Sequence, residues 1–313
     1  MNKEQFILAA AGRETWAILP DVLHGMIARF GDTSASSQQS NGLVAVTRPG
    51  PKTGRVAQIS VVGSISRRSS IWSEWFGGAS VDGLIAALRN VAADPDVKTV
   101  LLNIDSPGGT VDGLPELAAE IRTLRESKHV VALANSLAAS AAYWIASQAD
   151  EIVATPEALI GSIGVFTLHV DWSAYNERVG IKPTYIAAGK YKVEANPDQP
   201  LDDEARDYLQ TLVEEAYSLF VADVAKGRGV SAATVRSDYG EGRVLTAKDA
   251  KAAGLIDRVA GYHETIARLT GVKAETDPSF PNASIGNPDD DDHQTVGNSL
   301  AAKRLRLELL EKS

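Results

Sequence analysis

Three short clusters hold most of the residues able to do covalent chemistry. The first is Asp105-Ser106-Pro107-Gly108-Gly109. Two adjacent glycines let a chain turn sharply and present backbone N–H groups with no side chain in the way, which suits the stabilisation of an oxyanion. The second is Asn135-Ser136-Leu137-Ala138-Ala139-Ser140-Ala141-Ala142. Ser140 falls where a loop becomes a helix, and free N–H groups at a helix start favour developing negative charge. Its small neighbours leave room for a substrate backbone. The third is Gly189-Lys190-Tyr191-Lys192, preceded by Gly161-Ser162-Ile163-Gly164. A lysine serves as a base at neutral pH once desolvation depresses its pKa, and a serine hydroxyl can aim it.

Each cluster alone has a plainer reading. The glycines could form an ordinary turn, Ser140 an N-cap, and the lysines a solvated loop. Together they supply a nucleophile, a base and an anion cradle, all at the ends of expected strands, where ligand sites collect in open α/β sheets. A Ser–His dyad is the competitor, but His129 starts an expected strand and His169 ends one, and neither lies in a glycine-rich loop. Spacing does not choose between Lys190 and Lys192, because residues two apart share a face in an extended chain.

Other chemistries lack their motifs. The sequence has no G-x-S-x-G, G-x-x-x-x-G-K-[ST], G-x-G-x-x-G or H-E-x-x-H pattern. The absence of cysteine excludes disulfides, thiolate nucleophiles and Cys-ligated zinc. Asp289–Asp292 with His293 reads as a solvated charge run. No metal or cofactor is expected. The net charge of -9 includes no basic stripe, so nucleic acid is not an expected partner.

Alternating strand and helix patterns must position the three clusters. VAQISVVG, TVLLNI and HVVALA read as buried strands, with SVDGLIAALRNVAA and LPELAAEIRTLRES as helices between them. DSPGGT reads as a turn. SAAYWIASQAD reads as a helix, EIVATP as a strand edge, and DWSAYNERVG as a short helix with Asp171 as its N-cap. A long helix follows from Asp202, with a stripe of Ala205, Tyr208, Leu209, Leu212, Val213, Ala216, Leu219 and Phe220. The class is α/β with a mostly parallel sheet and peripheral helices. Residues 1–54 form an expected arm and linker, with a helix near Ile18–Phe30; residues 55–271 form the main domain. Residues 272–313 form an acidic disordered tail ending in a short charged helix. No segment reads as a membrane anchor, so a cytoplasmic chain is expected. The long helix suggests a homo-oligomer.

DSPGG, ASAAYWIASQADEIVATPEALIGSIGV and GIKPTYIAAGKYK, in this order, resemble the S49 signal-peptide-peptidase (SppA-like) serine peptidases. The likeness runs over about residues 55–270. It implies a ClpP/crotonase-like fold of repeated strand–helix units and a Ser–Lys dyad. Carried over, Ser140 matches the nucleophile, Lys192 the general base and Ser162 the serine that orients it. Gly109 and Ala141 match the oxyanion-hole donors. Family members that clear signal peptides are membrane-anchored. This chain more resembles the soluble S49 peptidases of tailed phages, and ETWAILPDVL looks like their leader. The expected activity is therefore a serine endopeptidase that processes scaffold or capsid proteins during prohead assembly, in host cytoplasm or prohead. The alternatives are a cytosolic bacterial SppA-like peptidase and an inert assembly scaffold on the same fold. An acyl-CoA enzyme of the crotonase type would need acidic catalytic residues and a CoA cradle, and neither is evident. NASIGNP and GNSLAAK are candidate self-cleavage sites.

Overall fold

A computed structural model describes residues 8–12, 14–29, 46–48, 55–68 and 78–271. The tail from 272 onward, with its expected helix and candidate cleavage sites, lies outside the described residues, as does the DTSASSQQS linker.

The main sheet begins with three long parallel strands. These are β3 (Arg55–Val62), β6 (Val97–Ser106) and β8 (His129–Ala139). β6 lies between the other two and is parallel to both. Its interior residues Val100, Leu101, Leu102 and Ile104 are buried, which explains the near-continuous apolar run of VLLNI. β2 (Val46–Arg48) caps the β3 edge in antiparallel fashion. β8 pairs in parallel with two further strands, through its first half with β9 (Glu151–Ala154) and through its last residues with β10 (Leu159–Gly161). β12 (Val244–Thr246) is antiparallel to β10, and β13 (Arg258–Val259) is parallel to β9. The expected α/β class with a mostly parallel sheet is the one observed.

A smaller sheet has the order β11-β1-β7-β4-β5. Its members are β1 (Thr15–Ile18), β4 (Ser64–Ser66), β5 (Gly78–Ser80), β7 (Gly108–Thr110) and β11 (Phe166–Thr167). Two sequence expectations change here. DSPGGT is the end of β6 followed by strand β7, with its glycines in a sheet. Residues 15–18 form a strand, and helix α1 spans Pro20–Arg29. Both segments are too short for periodicity to reveal them, and sheet partners distant in sequence make them extended.

Helices α2 (Val81–Ala93) and α3 (Leu114–Arg125) cover one face of the main sheet. Ser80 caps α2 by accepting a hydrogen bond from the Gly83 N–H at 3.1 Å. The inward stripes, Leu84, Leu88 and Val91 on α2 and Leu117, Ile121 and Leu124 on α3, join one large apolar cluster. Burial of each such side chain contributes about 1.5–3 kcal/mol. Helix α4 (Ala141–Ala146) is buried along its whole length. α5 (Ser173–Arg178) is exposed or half-buried throughout. Its cap position is Trp172, while Asp171 Oδ1 accepts from the Ser173 N–H at 2.8 Å.

The long helix α6 (Asp203–Arg228) is capped by the Asp202 carboxylate and stopped by Gly229 in the left-handed conformation. Its expected apolar stripe is only partly a core face. Ala205, Phe220, Val221, Val224 and Ala225 are buried, whereas Tyr208, Leu212 and Leu219 are exposed. The buried part meets α4. Phe220 stacks on Trp144 with ring centroids 4.4 Å apart. The Trp144 indole N–H donates to Asp223 at 2.9 Å, and Arg122 from α3 donates to the same carboxylate at 2.8 Å. A Cβ on Gly227 would sit 2.1 Å from the Ser147 carbonyl, so only glycine permits this close approach. Helices α7 (Ala232–Asp238), α8 (Ala247–Ala253) and α9 (Tyr262–Thr270) complete the described chain.

Candidate active site

Ser140 stands at the junction of β8 and α4. The pairing of β8 with β10 ends at Ala139 and Gly161, and the Ser140 N–H then donates to the Gly161 carbonyl at 2.7 Å. Its backbone adopts φ 57° and ψ −119°, a conformation that L-residues seldom take. This abrupt change of direction separates the strand from the helix. The serine carbonyl accepts the first helical bond, from the Trp144 N–H at 2.9 Å. The hydroxyl does not cap the helix, which removes the plainest structural reading of this serine. Ser140 Oγ lies 3.5 Å from the Gly164 carbonyl, at the limit of a hydrogen bond, and the residue is 1% exposed.

Ser162 follows directly on the strand paired with β8. It is buried, has φ 54°, and donates its N–H to the Arg243 carbonyl at 2.8 Å. Its hydroxyl has no hydrogen-bond partner among the described residues. Ala141 is the first residue of α4 and fully buried. Ser140, Ala141 and Ser162 thus gather at one end of β8 and β10.

The glycine-rich segment borders the same place. Ser106 Oγ donates to the Gly63 carbonyl at 2.6 Å and accepts from the Gly108 N–H at 3.2 Å, fixing the bend before β7. Gly108 has φ 102°, and a Cβ there would lie 3.0 Å from Ser140 Cβ and 2.2 Å from the Ala17 carbonyl. Gly109 faces the β4 backbone, where a Cβ would fall 1.7 Å from the Ile65 carbonyl. Close backbone approach on two sides is thus the reason for the Gly-Gly pair. Burial pushes the neighbouring Asp105 carboxyl above its ordinary value.

The lysines belong to a different segment of the chain. Both belong to an exposed turn between α5 and α6, and the Lys192 N–H donates to the Gly189 carbonyl at 3.2 Å. Lys190 Nζ donates to Tyr191 Oη at 2.6 Å and to Glu204 Oε1 at 2.9 Å. Those two hydrogen bonds, Tyr191 first and then Glu204, raise its pKa well above the usual lysine value. Lys190 is therefore held as a cation. Lys192 Nζ has no hydrogen bond or ion pair among the described residues, so none links it to Ser140 here. His169 Nε2 lies 3.3 Å from the Asn196 carbonyl, and His129 pairs with Asp150 at 3.7 Å, so neither histidine bonds to Ser140.

Two features of this region escaped the sequence reading. One is β1, read only as part of an arm, although the buried Trp16 in a polar context was a usable signal. The other is β11, whose two residues follow the Gly164 turn and pair with β1. No group of side chains that could hold a metal occurs among the described residues, and no helix there is long and apolar enough to cross a membrane.

Known proteins are similar to this chain in sequence. The profile of Peptidase family S49 matches residues 122–275, a stretch that includes Ser140, Ser162 and Lys192. Capsid assembly protease C of Escherichia phage lambda is 31% identical over 270 residues, covering 83% of this chain and 60% of that protein. Serine protease SPPA, chloroplastic, of Arabidopsis thaliana is 34% identical over 219 residues, 69% of this chain and 32% of that protein. A Synechocystis protein named "Putative protease slr0021" is 30% identical over 224 residues, 72% of this chain and 76% of that protein. The chain thus spans less than two thirds of the length of the phage protease. The α/β architecture described above is of ClpP/crotonase-like type, and with the profile match and a Synechocystis relative covered over 76% of its length, the chain belongs to peptidase family S49.

Proposed function

We propose that this chain is a serine endopeptidase in which Ser140 is the nucleophile and Lys192 the general base. The observation that carries this is the uncapped hydroxyl of Ser140 on a strained strand-to-helix junction, bordered by Gly108, Gly109 and Ser162. Neutral Lys192 Nζ removes the proton from Ser140 Oγ as that oxygen attacks a peptide carbonyl carbon. The N–H groups of Gly109 and Ala141 receive the oxyanion, each worth about 3–4 kcal/mol of barrier in comparable sites. The Lys192 ammonium then protonates the leaving amine. Water, deprotonated by the same lysine, hydrolyses the acyl-enzyme and regenerates the serine. Ser162 Oγ orients the amine.

Lys192 must approach Ser140 for this to occur. The segment that carries it has an exposed apolar face, with Val179, Ile181, Tyr185, Ile186 and Tyr191 all open to solvent. Tyr208, Leu212 and Leu219 on α6 are exposed as well. We propose that self-association covers these residues and seats Lys192 over the serine. The natural substrates are proteins. Likeness to the lambda capsid assembly protease favours scaffold or capsid chains of a tailed phage, in host cytoplasm or prohead. An inert assembly scaffold is a weaker reading, because the nucleophile, base and orienting positions are all filled. Ser140→Ala is expected to abolish hydrolysis of a small-residue peptide and all labelling by a fluorophosphonate. Retained hydrolysis in that variant would exclude Ser140 as the nucleophile.

A further inference from the structure

β1 lies in a telling place. It is the middle strand between β7, which carries Gly109, and β11, which begins two residues beyond Gly164. It is antiparallel to both, pairing Ala17 with Gly109 on one side and Trp16 with Phe166 on the other. Without β1, the two strands that border Ser140 would face each other across a gap one strand wide. Strands sit about 4.8 Å apart, so this gap would admit one extended peptide and nothing thicker. Extended peptides bind proteins in this way, by adding themselves to open strand edges.

The register is informative. The Val111 N–H donates to the Thr15 carbonyl at 3.0 Å, and the Leu19 N–H donates to the Pro107 carbonyl at 3.1 Å. Antiparallel pairs alternate between bonded and non-bonded. The Ala17–Gly109 pair lies midway between those two bonded pairs, so it is bonded too, and the Gly109 N–H points at the Ala17 carbonyl. That N–H is the one proposed above for the oxyanion. The same carbonyl lies 2.2 Å from a Cβ built on Gly108, whose other close neighbours are the Ala139 carbonyl and Ser140 Cβ, each at 3.0 Å. Ala17 therefore places a backbone carbonyl beside the serine, as a substrate residue would.

The arm is also packed as a separable piece. Ala17 is its single member of the main apolar cluster. Trp16 and Ile18 point the other way, into a small second cluster with Ala11, Leu23 and Met26, which contacts the rest of the domain through Phe166 and Leu168. The alternation is that of a strand with one face on each side.

We propose that Thr15–Ile18 is a built-in occupant of the substrate groove, mimicking an extended peptide with Ala17 at the serine, and that it must leave before another chain can bind. This rests on the reading of Ser140 as the nucleophile. The test uses the full chain and two Ser140-directed probes: a small fluorophosphonate, which needs no groove, and an acyl-Ala-Ala-Ala diphenyl phosphonate, which needs one. Trp16→Ala, which loosens β1, is expected to raise the tripeptidyl labelling rate at least tenfold while changing the fluorophosphonate rate less than twofold. As a check independent of that variant's folding, hydrogen exchange is followed on the unmodified sequence. Amides of residues 15–18 should lose protection when the tripeptidyl adduct forms, while those of β6 keep theirs. A tripeptidyl adduct that leaves residues 15–18 protected would overturn the inference and leave the nucleophile intact. No labelling by either probe would overturn the nucleophile, and the inference with it.

Discussion

Lys190 Nζ is 2.9 Å from Glu204 Oε1, which ties the turn before α6 to the first turn of that helix. The neighbouring Lys192, two residues on, has no such partner among the described residues. Spacing alone could not separate the two lysines, but their surroundings differ. A cation fixed by a carboxylate and a phenol cannot take a proton, whereas an unpaired amine can be desolvated by whatever closes over it. Lys192→Ala is expected to lower kcat by at least a thousandfold with fluorescent peptide substrates. Lys190→Ala should keep kcat within about fivefold. The reverse pattern would move the base to Lys190. Loss of activity in His169→Ala with an active Lys192→Ala would replace the dyad by a Ser–His pair.

Gly109 permits no side chain. A Cβ there meets three backbone atoms of Ile65, the nearest at 1.7 Å, so β4 or β7 would have to move. Overpacking of this kind costs about 1–3 kcal/mol or more. Gly109→Ala should lower the melting temperature and remove peptidase activity together. Gly25 on α1 provides the contrast, since nothing lies within 4 Å of a Cβ there. Gly25→Ala should stabilise the chain by about 0.5–1 kcal/mol through helix propensity, with unchanged activity. Thermal melts and initial rates on the two variants check both statements.

The clamp of α6 on α4 predicts a distant effect on the site. Phe220 is fully buried against Trp144, four residues after Ser140. Phe220→Ala should cost about 3–5 kcal/mol in chemical denaturation. In the fraction that remains folded, it should also slow fluorophosphonate labelling of Ser140, because the helix starting at Ala141 loses its brace.

Arg228 and Asp257 give the chain an acid-sensitive joint. Arg228 Nη2 bonds Asp257 Oδ1 at 2.7 Å, and the Ile152 N–H donates to Asp257 Oδ2 at 2.7 Å. Burial pushes the Asp257 carboxyl up, but the Arg228 and Ile152 bonds outweigh it and hold the pKa below the ordinary carboxylate value. A depressed carboxyl pKa adds stability that is complete above the unfolded value, near pH 4, and is lost as the pH falls through the folded value. Because Asp257 is 39% exposed, the pair is worth only about 0.5–1 kcal/mol. Asp257→Asn should be destabilised by that amount at pH 7, and the difference from the unmodified chain should shrink as the pH falls below about 4. A constant difference across this range would rule the joint out.

Strand β6 and helices α2 and α3 were legible in the sequence because their apolar patterns are long and consistent with burial on the faces observed. Ser140 and Ser162 stood out by the company they keep, and the structure places both at one end of β8 and β10. β7 and β1 were not, since a three-residue Gly-Gly-Thr strand and a four-residue Thr-Trp-Ala-Ile strand owe their extension to partners distant in sequence. The stripe of α6 misled over Tyr208, Leu212 and Leu219, because periodicity reports which residues share a face and not what covers it.

Ser140 and Ser162 both hold positive φ angles without being glycine. Such a conformation costs of order 1–3 kcal/mol per residue. Glycine at position 140 would adopt the same backbone at less cost, and it would lack the hydroxyl. With Ser140 as the proposed nucleophile, resistance to heat and chemical competence pull in opposite directions at this one residue. A laboratory selection for thermal survival alone would enrich chains that have discarded the serine, so such a screen needs turnover as a second criterion.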